Sequence, residues 1–145
     1  MSTRSAAALY WWVASGLWYA FILFETWSPR PAVVPPELSD WQLHAGGFAV
    51  LGLLMALAAC YSWKGAASAT LLLGAILGAI SEGGQAWVPG RTVSFSDMAA
   101  NIGGFAVAVG IVSTALLRTR PSTKLAQSGG GDHDGQRQGR RTPGL

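Results

Sequence analysis

Charge is scarce in this chain. Only 12% of its 145 residues are Asp, Glu, Lys or Arg, about half of the roughly 25% typical of soluble domains, so water is a poor match as the solvent. Cysteine is scarcer still. Cys60 stands alone, which excludes an intramolecular disulfide and any zinc site built on several thiolates within one chain. The histidines are His44 and His133, too few and too far apart for a zinc ligand set, and no metal or cofactor is expected. Zincin, P-loop and nucleophile-elbow motifs are absent, as is any convincing internal repeat. The common hydrolase templates find no support.

What the chain has is apolar surface in blocks. Half of it is hydrophobic, with seven Trp and nineteen Gly, and the mean hydropathy is +0.33. Ala6 to Phe24 is one unbroken apolar and aromatic run, long enough at about 1.5 Å per residue to cross a hydrocarbon core of about 30 Å. Arg4 before it resembles the start of a signal peptide. A secretory core is shorter, however, at about 7 to 15 residues, and ends at small residues; here Glu25, Thr26 and Trp27 follow. Further spans are expected over 43–63, 66–87 and 98–117. The fold class is therefore all-α: a polytopic membrane protein with a four-helix transmembrane bundle over residues 1–120.

Pro29, Pro31, Pro35 and Pro36 predict an extended loop after the first span. Lys64 and Gly65 predict a tight hairpin between the second and third. Residues 121–145, rich in Gly, Ser, Gln and Arg and without an apolar face, predict a disordered tail. Asp132, His133 and Asp134 within it read as solvated chain. The formal charge of +3 comes largely from this tail, so it marks a membrane face rather than a nucleic-acid partner. Arg4, Lys64, Arg118, Arg120 and Lys124 fall on one side of the bundle, against Arg30 and Arg91 on the other. Both termini are thus expected in the cytoplasm of a bacterial inner membrane.

Polar residues gather at the outer end. Asp40 with His44, Glu82 with Gln85, and Asp97 with Asn101 stand three or four apart, which places each pair on one helix face. Ala66, Thr70, Gly74 and Gly78 form a small-residue stripe leading to Glu82, and such stripes face neighbouring membrane helices. Asp97, Asn101, Gly104 and Ala108 repeat the device. The Pro89-Gly90 turn can return Arg91 over the helix ends. The candidate binding set is Asp40, His44, Glu82, Gln85, Arg91, Asp97 and Asn101; no catalytic residue is assigned.

Each member also has a plainer reading. Ser39 with Gln42, and Ser94 with Asp97, match capping boxes, and Asp40 and Asp97 sit where a helix dipole favours an anion. For these two aspartates, capping and a role in the site both stand. Glu82 lies near a helix C-terminus, where the dipole disfavours it, so it needs a partner, Arg91 or His44. Trp27, Trp41, Tyr61, Trp63 and Trp87 read as interfacial anchors, and Cys60 as a small packing residue.

The spaced set resembles the VanZ-like family of bacterial membrane proteins. The likeness covers Asp40 to Gly104: Asp40 and His44, Glu82 and Gln85, Val88-Pro89-Gly90-Arg91, Ser94, Asp97, Asn101 and Gly104. Two positions depart from the family pattern, with Trp41 where a basic residue is common and Phe48 where a tyrosine is common. The resemblance implies a small helical protein of the cell envelope, linked in the name-giving case to teicoplanin resistance, and supplies no reaction. Three function classes follow. One is a binding protein whose outward polar pocket takes an anionic lipid-linked or peptidoglycan-related component, with membrane lipids as its other partners. The second is a membrane enzyme using His44, oriented by Asp40 or Glu82, as general base. In the third, the polar set only locks the helices together.

Overall fold

The computed structural model describes residues 2–29, 38–62 and 67–118. Among these residues there are four helices and no strand: α1 (Thr3–Thr26), α2 (Asp40–Ser62), α3 (Ala67–Gln85) and α4 (Phe95–Arg118). All four are long and apolar enough to cross a membrane. Residues 30–37 of the loop expected over 28–38, the Lys64-Gly65 hairpin with Trp63 and Ala66, and the tail from 121 lie outside the described residues.

Inside hydrocarbon, apolar surface gives helices no reason to associate, so close approach and satisfied polar groups must do it. α2 is the central helix and touches each of the others, whereas α1 and α4 do not meet. The α2/α4 seam is the most extensive, and glycine makes it possible. A Cβ on Gly52 would come within 2.6 Å of the Phe105 carbonyl oxygen, and one on Gly104 would collide with the Ala45 carbonyl. Phe48, Leu51, Met55, Phe105 and Val109 fill the space between, with Ile22 of α1 closing the cluster. On α3, Thr70, Gly74, Gly78 and Glu82 are all buried, as their four-residue spacing predicts. The Phe105 ring lies where a side chain at Gly74 would be.

α1 buries only Ser15 and Ile22 and is held by polar staples instead. The indole N–H of Trp12 donates to Ser62 Oγ at 3.0 Å and that of Trp18 to the Gly47 carbonyl at 2.9 Å. Tyr19 donates to the Leu77 carbonyl at 2.8 Å, and Trp27 to that of Ser81 at 3.0 Å. Each places the polar tip of an aromatic residue on an acceptor of another helix, the Trp12 bond at the exposed surface and the others partly buried. Trp27 also covers Gly84, where a Cβ would overlap its ring. Trp27 is thus a helix-to-helix contact although it is itself exposed, as Trp41 and Trp87 are.

This arrangement brings the end of α1, the start of α2, the end of α3 and the start of α4 to one end of the bundle.

Candidate functional site

Two helix N-termini, those of α2 and α4, stand side by side at this end. Each opens on a serine followed by an aspartate, and the details of capping decide what the aspartates are free to do. At α2, the Gln42 side chain accepts from both the amide and the hydroxyl of Ser39, each at 2.9 Å. The reciprocal half of the capping box is therefore carried by Gln42, and the Asp40 carboxylate is left for other work. At α4, Ser94 Oγ accepts from the Asp97 amide at 3.3 Å. In a local box the Asp97 side chain would return to the Ser94 amide. Here Glu82 of α3 takes that amide, its Oε1 accepting at 2.6 Å.

That exchange corrects one expectation and resolves another. Glu82 was expected to pair with Arg91 or His44, but its partner is the backbone N–H at the start of α4. The physical reason is the same dipole that makes the end of α3 unfavourable: the N-terminus of the antiparallel neighbour offers an orphan N–H and a partial positive charge. With Glu82 in this place, the Asp97 carboxylate is released from capping.

Arg91 turns the other way. Val88-Pro89-Gly90-Arg91 forms a turn closed by the Arg91 amide on the Val88 carbonyl at 3.1 Å. Gly90 sits at φ +82°, the left-handed position that a turn with Pro second and Gly third requires. The turn delivers the guanidinium to the C-terminal end of α1, where Nη2 donates to the Glu25 carbonyl at 3.3 Å and Nε to that of Ser28 at 3.4 Å. A cation there meets main-chain carbonyls and the negative end of the helix. Both bonds are long, so the guanidinium is a rim group held loosely.

Below the rim, His44 and Asn101 join α2 to α4 through Nδ1 and Oδ1 at 3.0 Å. With the amide oriented this way, the imidazole carries its proton on Nδ1. A ring nitrogen of His44 and carboxylate oxygens of Asp40 and Asp97 lie within 4.8 Å of one another. Asn101 packs over Gly78, one turn before Glu82 on α3. Glu82 is 1% exposed and Asn101 0%, and Gln85 is buried at the end of the same helix. Among the described residues, Glu82 Oε2 and Asn101 Nδ2 have no hydrogen-bond partner, and each such group costs about 1 to 3 kcal/mol when left unmet.

The structure therefore brings Asp40, His44, Asp97 and Asn101 together, sets Glu82 beside them through Ser94, and puts Arg91 at the rim against α1. What sequence reasoning missed is the acceptor role of the Glu25 and Ser28 carbonyls and the cross-helix role of Ser94. A helix C-terminus followed by proline marks unsatisfied carbonyls, and that was the available signal for the first.

No family model, curated protein or solved structure matches the chain.

Proposed function

We propose that this is a VanZ-like integral membrane protein of the bacterial cell envelope, whose polar end takes an anionic lipid-linked or cell-wall component from the outer face and so contributes to glycopeptide resistance. The observation that carries the reading is the pair of buried, unpartnered atoms, Glu82 Oε2 and Asn101 Nδ2. One is an acceptor and one a donor, which suits a ligand that brings hydroxyl, amide or water groups to this end. Arg91 supplies the seat for the anionic group, since its guanidinium suits phosphate or carboxylate and its present bonds are weak enough to exchange. A groove of 460 Å³ lined by Ala20, Leu23, Phe24, Trp27, Ser28 and Pro29 shares Ser28 with Arg91 and offers an apolar course for a lipid chain. The outward orientation follows from the distribution of Lys and Arg.

The general-base reading is weaker on chemical grounds. His44 is oriented by a neutral amide oxygen rather than by a hydrogen-bonded carboxylate, and no nucleophile is marked beside it.

The test is thermal unfolding of the purified full chain in detergent with a polyprenyl phosphate and with the matching polyprenol. Stabilisation by the phosphate alone, lost in Arg91→Gln, is the expected result. Equal effects of both lipids, or a phosphate effect that survives Arg91→Gln, would sink the proposal. In cells, expression should raise teicoplanin tolerance of a susceptible host, and Arg91→Gln should remove the gain at equal protein level.

A further inference from the structure

We infer that Asp40, His44 and Asp97 form a binding site for one divalent first-row cation, Mn2+ or Zn2+ in type, between the N-terminal ends of α2 and α4. A lone histidine among acids predicts no zinc site of the cysteine and histidine kind. The structure assembles a different ligand set, one imidazole and two carboxylates from two parallel helices.

Geometry comes first. The three ligand atoms lie within 4.8 Å of one another. Three ligands each about 2.1 Å from one cation stand about 3.4 Å apart in a tetrahedral set, so closure needs a movement of up to about 1.4 Å, and Asp40 is the exposed member of the set. Asn101 holds the ring through Nδ1 and Oδ1 at 3.0 Å; with the amide oxygen as the acceptor, the proton is on Nδ1 and the Nε2 lone pair is open to a metal, and a ligating histidine almost always has such an outer partner on its other nitrogen.

Charge comes second. Gln42 relieves Asp40 of the Ser39 amide, and Glu82 relieves Asp97 of the Ser94 amide. Arg91 bonds to the main-chain carbonyls of Glu25 and Ser28 rather than to these carboxylates. Two carboxylates with a neutral imidazole make a net charge of minus two, the complement of a divalent ion. Mg2+ and Ca2+ take oxygen ligands, whereas in a mixed set the two carboxylates suit Mn2+ and the imidazole suits Zn2+.

The independent sign of a ligand is the pair of buried, unpartnered atoms. Asn101 Nδ2 belongs to the amide that holds His44, and Glu82 Oε2 to the carboxylate that caps the helix bearing Asp97. Three protein ligands leave coordination positions for water. A water on a divalent cation is a strong donor, and Glu82 Oε2 is a buried acceptor without a partner among the described residues. The inference does not rest on the lipid reading, because the ion is tested with no lipid ligand present.

The full chain is purified in detergent, stripped with chelator and titrated with Mn2+, free ion being followed by its electron paramagnetic resonance signal, with Zn2+ as competitor. Saturable binding of about one ion per chain is expected, with nitrogen coupling in the pulsed spectrum that His44→Gln abolishes. Asp40→Asn, at an exposed position, should keep the unfolding temperature of the metal-free protein and weaken binding at least about tenfold, the lower end of what even an outer-shell loss costs. If His44→Gln fails to fold, Asp40→Asn alone decides. Wild-type protein that binds neither ion, binds Mn2+ without nitrogen coupling, or binds it no better than Asp40→Asn overturns the inference.

Discussion

Gly104→Ala and Gly103→Ala are neighbouring substitutions on α4 that should act with opposite sign. At Gly104 a new Cβ would run into the Ala45 carbonyl, with the Ala45 Cα at 3.0 Å. The obstruction is main chain of a facing helix, so no rotamer change can relieve it, and α2 must move away from α4. Overpacking of this kind costs about 1 to 3 kcal/mol, and a main-chain obstacle argues for the upper half. Replacing a helical glycine by alanine returns about 1 kcal/mol, which leaves a net loss of about 1 to 2 kcal/mol. At Gly103 nothing lies within 4 Å of the new atom, so only the gain of up to about 1 kcal/mol applies. The two variants should therefore differ by about 2 to 3 kcal/mol on these terms.

The assay is reversible unfolding in mixed micelles, with helicity followed as the fraction of denaturing detergent rises. A second readout reaches the site. Ala45 adjoins His44, whose 3.0 Å bond to Asn101 crosses the same seam, so the Gly104→Ala wedge should also weaken Mn2+ binding while Gly103→Ala leaves it alone. Equal stability of the two variants would refute the close approach of α2 and α4 on which the positioning of the site depends.

The other predictions concern the helix ends and the topology. Ser94→Ala removes the Oγ cap of α4 and should cost about 0.5 to 2 kcal/mol; Glu82→Ala removes a charge-assisted bond and should cost about 1.5 to 3 kcal/mol, and the reverse order in detergent unfolding would displace Glu82 from the cap. Because Arg91 bonds to α1 and Glu82 to Ser94, a double-mutant cycle of Glu82→Gln and Arg91→Gln should be additive within about 0.3 to 0.5 kcal/mol, and a coupling above about 1 kcal/mol would restore the direct ion pair. In a Cys60→Ala background, a cysteine at position 91 should react with an impermeant reagent added outside intact cells, whereas reaction only after permeabilisation would invert the orientation. Deleting residues 128–145 should leave insertion and any teicoplanin phenotype unchanged, and a lost phenotype at normal protein level would assign the tail an interaction.

The helices were legible because the signals that define them are long and redundant. Each is an apolar run of membrane length, and the stripe from Thr70 through Gly74 and Gly78 points the same way as the buried Glu82 that follows it. The α1 attachments were not legible. Trp12, Trp18, Tyr19 and Trp27 sit in or beside an apolar run that buries little of itself, and each donates to an acceptor on another helix. Three of those acceptors are main-chain carbonyls, present at every residue and therefore invisible as a pattern. Arg91 escaped for the same reason: the sequence shows carboxylates as candidate partners, while its bonds go to carbonyls at the end of α1.

Asp97 shows where local pattern reaches its limit. Ser94 and Asp97 satisfy the spacing of a capping box, and nothing within that segment says whether the aspartate closes it. The answer lies on α3, where Glu82 occupies the Ser94 amide from outside. Two costs are reduced by one bond, since the anion at the end of α3 gains the positive end of α4 and the first amide of α4 gains an acceptor. The consequence is chemical. A carboxylate that would otherwise be a structural cap is set free beside His44 and Asp40, so removing Glu82 should also draw Asp97 back onto the Ser94 amide. Glu82→Ala would then lose Mn2+ affinity although Glu82 is not one of the three proposed ligands, whereas Glu82→Gln, which keeps an acceptor for that amide, would retain most of it. Equal affinities in the two variants would mean that Asp97 is positioned by something other than the cap.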